Sequence, residues 1–193
     1  MNGRLTLRDD RGFTMTEIVV TMSVMSVVMA IFTAGVVQMY DTSNKTESLA
    51  VSQAQSNTAF LRLDKQIRYA SGISTPGTVA GVAYVEYLLA GGTATCYELR
   101  LKDSMLQQRV WAQGGTITDS PWTVLSNGVS SSQPFTFYGP DATFNFQRLR
   151  LQLTTTYGGN QTLSTANTDI TFTALNTTLG TSSASVCTEG RSA

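Results

Sequence analysis

The 193-residue chain has no histidine. Ser-His-Asp and Cys-His nucleophile systems and histidine-based zinc sites are therefore excluded within it. No Ser-x-x-Lys spacing occurs either, so a serine–lysine hydrolase has no motif to mark it. Charge is scarce at 13%, and thirteen basic residues cancel thirteen acidic ones. With no basic excess or patch, nucleic-acid binding is not indicated. The acids Asp141, Asp169 and Glu189 stand alone, without EF-hand spacing, so calcium has no support in the pattern. All four prolines lie after residue 75, and no glycine falls between Gly35 and Gly72. That long stretch without breakers leaves a helix free to run.

What the chain does have is one long apolar run. From Ile18 to Val37, 20 residues pass without a charge or a proline. As a helix that run is about 30 Å long, the thickness of a bilayer's hydrocarbon core. Before it come Gly12-Phe13-Thr14-Met15-Thr16-Glu17, and before those a leader, Met1 to Arg11, with Arg4, Arg8 and Arg11 against Asp9 and Asp10. The leader's positive bias favours a cytoplasmic N-terminus. A secretory signal peptide would end in an A-x-A-like cleavage site, and Phe32-Thr33-Ala34-Gly35 fits that poorly because Phe32 is bulky. A plain anchor explains the run but not Glu17, because a carboxylate at the edge of a membrane helix is costly without a partner.

Glycine, phenylalanine, glutamate four residues later and then an unbroken apolar segment resemble the type IV prepilin signature. The resemblance implies that a prepilin peptidase cuts between Gly12 and Phe13 on the cytoplasmic side and methylates the new Phe13 terminus. The apolar segment would then anchor the mature protein in the membrane and later pack against its counterparts in a filament. Glu17 would pair with the Phe13 amine of a neighbouring subunit and set the register. The plainer alternative leaves Glu17 as a hydrated interfacial acid. Removing a 12-residue leader leaves 181 residues, ten of them basic and eleven acidic, enough for the anchor and one modest domain.

The expected fold is α+β: a long N-terminal helix packed on an antiparallel sheet. The expected organisation is a leader over 1–12, a membrane and assembly helix over 13–40, its amphipathic continuation over 41–71 and an extracytoplasmic β-rich domain over 72–193. Phe60, Leu63, Ile67 and Ala70 make an apolar stripe at helical spacing, and Gly72, Pro76 and Gly77 open a linker. Strands are predicted over 82–90, 95–102 and 105–111 as a meander, then over 135–138, 143–157 and 168–175. Tyr97, Leu99 and Leu101 share one face, and Cys96, Glu98 and Arg100 the other. Residues 113–133 read as a loop that Trp122, Val124 and Leu125 tuck onto the core. Tyr84, Tyr87 and Tyr97 fit strand packing better than a sugar-binding patch. In an extracytoplasmic domain, Cys96 and Cys187 are expected to bond, with two free thiols as the alternative.

The globular half also resembles J-type minor pseudopilins and their minor-pilin relatives. The similarity rests on Phe135-Thr136-Phe137-Tyr138-Gly139-Pro140-Asp141, Leu149-Arg150-Leu151-Gln152-Leu153 and Ile170 through Asn176, with Leu175 where those relatives often carry arginine. The function implied is a non-enzymatic minor subunit of a type IV pilus or related filament, at the tip or priming assembly. It would need no cofactor and no metal. Its partners would be other pilin subunits, the prepilin peptidase, the inner-membrane assembly platform and, before assembly, the membrane. Its location would be the cytoplasmic membrane, with the C-terminal domain outside, and then an extracellular filament. The alternatives are a type II secretion pseudopilin and a single-pass membrane protein whose outer domain binds a ligand without polymerising.

Overall fold

The computed structural model describes residues 12–117, 120–157, 164–184 and 186–192. The leader and the turn at Gly158-Gly159-Asn160 lie outside the described residues. Two compact units divide the chain, Met1–Thr46 and Glu47–Ala193. One helix, α1 (Met15–Arg68), runs through the boundary without a break.

In the first unit the helix is apolar and uncovered. Val19 is 62% exposed and Phe32 67%. Met15–Glu47 is long and apolar enough to cross a membrane. The hydroxyls of Thr21, Ser23 and Ser26 turn back to the carbonyls of Glu17, Val20 and Met22 at 2.6, 2.8 and 2.8 Å. These polar groups are thus satisfied by their own helix, as a hydrocarbon environment requires.

The last turns of α1 belong to the second unit, where Leu63, Ile67 and Ala70 are fully buried. Arg68 bonds Asp64 one turn back at 2.6 Å, and Lys65 and Arg68 in the last turn suit the negative end of the helix dipole. The helix end is tied down by the last strand of the domain. Leu175 N–H donates to the Arg68 carbonyl at 2.9 Å and the Asn176 amide to that of Tyr69 at 3.0 Å, filling acceptors that a helix end leaves open.

Two antiparallel sheets complete the domain. The strands of the first are β1 (Gly72–Ile73), β2 (Gly77–Val79), β3 (Val82–Leu89), β4 (Thr95–Lys102), β5 (Met105–Ala112) and β6 (Thr123–Asn127), in the order β1-β3-β4-β5-β6 with β2 also on β3. The strands of the second are β7 (Val129–Ser130), β8 (Phe135–Tyr138), β9 (Gln147–Tyr157) and β10 (Ser164–Ala174), in the order β10-β9-β7 with β8 also on β9. Val85, Tyr87, Leu99 and Leu106 from the first sheet share a core with Phe135, Leu149, Leu151 and Phe172 from the second, and with the helix stripe. Tyr87 stacks on Tyr97 with ring centroids 5.2 Å apart. Its hydroxyl donates to Gln66 on the helix at 2.8 Å and accepts from Gln108 at 2.7 Å. That network pins the helix to the sheet.

Four expectations are corrected. The supposed linker after Gly72 holds β1 and β2, which pair with β3. The supposed loop over 113–133 holds β6 and β7; Leu125 packs toward the core, but Val124 is exposed and Trp122 lies over the Arg100 guanidinium at 3.7 Å. The strand expected from Thr143 begins at Gln147, because the Asp141 carboxylate accepts the Thr143 and Phe144 N–H groups at 2.8 Å each and curls that segment into a turn. The strand expected from Thr168 begins at Ser164, and its added Thr and Asn residues pair across to β9.

Candidate functional site: the helix entrance and the docked C-terminal segment

At the N-terminal end, Gly12, Phe13 and Thr14 precede the helix in exposed, non-helical chain. Thr14 caps α1. Its hydroxyl accepts the Glu17 N–H at 3.3 Å, and its carbonyl accepts from Glu17 and Ile18 at 3.0 and 3.2 Å. Thr-x-x-Glu is the capping-box spacing, and Glu17 in the first turn suits the positive end of the dipole. The Thr14-x-x-Glu17 spacing is visible in the sequence, beside the apolar run. The Gly12–Phe13 bond therefore sits in accessible, non-helical chain just before a rigid helix, and Phe13 is 79% exposed. A peptidase needs such a non-helical segment, since a helical bond would first have to unwind.

At the other end of the chain, Cys96 on β4 and Cys187 are bonded, with Cα atoms 5.8 Å apart and 91 residues between them. Both are buried. The link lays a short 3-10 turn, Thr188–Ser192, across the face of the first sheet that points away from the core. That face is charged underneath. Glu86 on β3 stands directly opposite Glu98 on β4, and Glu98 opposite Arg109 on β5. Both glutamates are fully buried, and Arg109 is 4% exposed.

The docked turn supplies the counter-charges. The Arg191 guanidinium grips Glu86 through Nε at 2.7 Å and Nη2 at 2.5 Å, and donates to the Thr75 carbonyl at 2.6 Å. Ser74 adds a hydroxyl to the same carboxylate at 2.5 Å. Arg109 donates to Glu98 and to the Gly190 carbonyl, and its guanidinium lies 4.6 Å from the Trp122 ring. The Trp111 indole N–H donates to Glu189 at 3.3 Å. Two glycines make the fit possible. A Cβ on Gly77 would strike the Arg191 guanidinium, and one on Gly190 would come within 2.7 Å of Trp111 and 2.8 Å of Glu98. Burial pushes the Glu98 carboxyl up to about 7; the ion pair to Arg109 opposes the rise and Glu86 adds to it.

The sequence placed Cys96, Glu98 and Arg100 on one face, which the structure also does. The partners of Glu98 were not legible: Glu86, Arg109 and Arg191 are distant in the chain, and only pairing strands β3 to β5 and closing the disulfide brings them together. The other isolated acids also find partners here, Asp141 with Arg148 at 3.4 Å and Asp169 with Arg150 at 2.5 Å.

Alkylating the denatured, unreduced protein should reveal no free thiol. Cys187→Ser should lower unfolding stability by about 2–5 kcal/mol, since it opens a loop of some 90 residues and frees the docked turn. A denaturant midpoint equal to wild type would count against the bond's role.

Residues 7–33 match the family model for the prokaryotic N-terminal methylation motif. No curated protein and no solved structure matches the chain. The motif lies over the capped helix entrance and supports a type IV pilin- or pseudopilin-like precursor with a membrane-anchoring helix.

Proposed function

We propose that this chain is a minor subunit of a type IV pilus or related filament, released from its leader between Gly12 and Phe13 and inserted at the tip or during priming of assembly. The observation that carries the proposal is a coincidence in one place. The methylation motif over residues 7–33 includes the exposed, non-helical residues 12–14 that lead into a capped helix, and the side chains of that helix are uncovered from Ile18 to Val37. An apolar surface of that extent needs lipid or like helices around it. A filament supplies the second environment after the membrane supplies the first. The minor role rests on the resemblance of residues 135–176 to J-type minor pseudopilins.

In this proposal the prepilin peptidase acts first, the mature helix waits in the cytoplasmic membrane with residues 72–193 outside, and the assembly platform feeds it into a filament beside other pilins. Intact-mass analysis of protein from its native membrane tests the first step. The expected mature chain starts at an N-methylated Phe13; an uncut Met1 start supports instead a single-pass protein that does not polymerise.

A further inference from the structure

We propose that the docked C-terminal turn is a proton-operated clasp, in which Glu98 holds a proton beneath Gly190, beside the opposed Glu86, and losing that proton loosens residues 187–192 from the sheet. The inference does not depend on the filament proposal.

The geometry leads to it in three steps. First, Glu86 and Glu98 are directly opposed on antiparallel strands, where side chains of one face lie within reach of each other. Second, their bonding is unequal. Both oxygens of Glu86 are taken by Arg191, with Ser74 on one of them. Glu98 gives one oxygen to Arg109, while its Oε1 is buried with no hydrogen-bond partner among the described residues. A bare, buried carboxylate oxygen is costly, but a protonated one becomes a donor aimed at the neighbouring acid. Third, the lid over Glu98 is the tail itself. The position of a Gly190 Cβ would lie 2.8 Å from Glu98 Oε2, and the Gly190 carbonyl is held by the same Arg109. Lifting the tail therefore hydrates Glu98 and returns its carboxyl to ordinary behaviour.

Among the described residues, every charged or titratable group that faces this pair belongs to the balance. Glu86 comes from β3, with Tyr84 two residues before it against Trp122. Arg109 comes from β5, and Arg100 lies on the same face of β4, bonded to Gln107 at 2.7 Å. Arg191 and Glu189 come from the tail. Desolvation raises the docked Glu98 from 4.5 to about 7. The docked state thus binds the proton more tightly than the lifted state. Its extra stability is full below about pH 4.5 and is lost as pH rises through about 7.

The buried disulfide reports tail lifting, because a reductant reaches it only when the turn is away. The full chain in detergent micelles is treated with a limiting phosphine from about pH 5 to about pH 8. Its reduction rate is divided by that of a small exposed disulfide at each pH, which cancels the reagent's own pH dependence. The expected ratio rises at least about tenfold across this range, since the docked and lifted tails differ by more than about a factor of ten in how tightly Glu98 holds its proton. Glu98→Gln, a permanent mimic of the protonated acid, should give a flat ratio. Glu86→Gln, which removes the neighbouring charge that raises Glu98, should move the midpoint to lower pH. Infrared spectra of the wild type alone give a second measure: a buried protonated-carboxyl band at about pH 6 should fade by about pH 8. A wild-type ratio that stays flat, a Glu98→Gln ratio that still rises like wild type, or no such band would each overturn the clasp.

Discussion

Gly12→Val should abolish maturation, leaving the uncut precursor in the membrane. Gly12 and Phe13 lie in exposed, non-helical chain just ahead of the Thr14 cap. Among the described residues nothing lies within 4 Å of a Cβ built at Gly12, so valine there disturbs none of the fold contacts described. Its effect must be read at the peptidase, whose pocket the prepilin resemblance takes to accept only a small residue. The helix, its cap and the globular domain keep their sequence, so insertion and disulfide formation should match wild type. Intact mass of the membrane fraction separates the outcomes, with precursor alone expected from the mutant. Equal amounts of mature chain from both proteins would show that the cut does not depend on Gly12, or that it falls elsewhere.

The parts of the fold that were legible in the sequence carried a period. The unbroken helix followed from the absence of glycine and proline between Gly35 and Gly72, and its end near Arg68 followed from Gly72. Strands β3, β4 and β5 alternate visibly, and their hairpin residues Asp103 and Ser104 both take positive φ, at 51° and 57°, as a tight two-residue turn demands. What stayed hidden was structure held by hydrogen bonds without an apolar period. β6 and β7 carry serine and asparagine amid glycine, and the start of β10 is Ser-Thr-Ala-Asn-Thr. Such segments become strands because β5 and β9 offer them a ladder, which no local window contains.

The docked turn was hidden for another reason. Alternation assigns Glu98 to the face away from Leu99, and a charged residue on that face is ordinarily solvated. Here that face is covered by residues some 90 positions later, and only the Cys96–Cys187 bond announces them. The result is a second interior with its own logic. Removing one member of a buried, paired charge set costs far more than the pair itself contributes. The sequence therefore commits four charged residues, Glu86, Glu98, Arg109 and Arg191, and two fitted glycines to docking a segment with little apolar surface, and a charge network holds the segment where burial could not.

Glu17→Ala should give processed, membrane-resident protein that enters filaments poorly. Removing an acid makes the helix mouth more apolar, so insertion should not suffer, and the cut lies four residues earlier. What remains after cleavage is a Phe13 amine that, in the proposed filament, faces a low-dielectric bundle without its carboxylate. Breaking a buried pair from one side costs roughly 3–5 kcal/mol, about two to nearly four decades in incorporation. The capping geometry offers a rival account, because Glu17 also sits at the Thr-x-x-Glu position of the helix start. Its loss there would cost only about 0.3–1 kcal/mol. Glu17→Gln tells the two apart. Glutamine serves a capping box as well as glutamate does, so a capping role alone predicts wild-type behaviour, whereas the charge pair predicts incorporation between wild type and alanine. The three variants are fractionated side by side into membrane and sheared filament, with processing checked by mass. If alanine enters filaments as well as wild type, Glu17 sets no register, or this subunit caps the tip with no neighbour above it. Crosslinking from the Phe13 end resolves that choice, since a tip subunit has partners on one side only. If none of the variants, wild type included, is found in a filament or in a complex of minor subunits, the filament proposal itself falls.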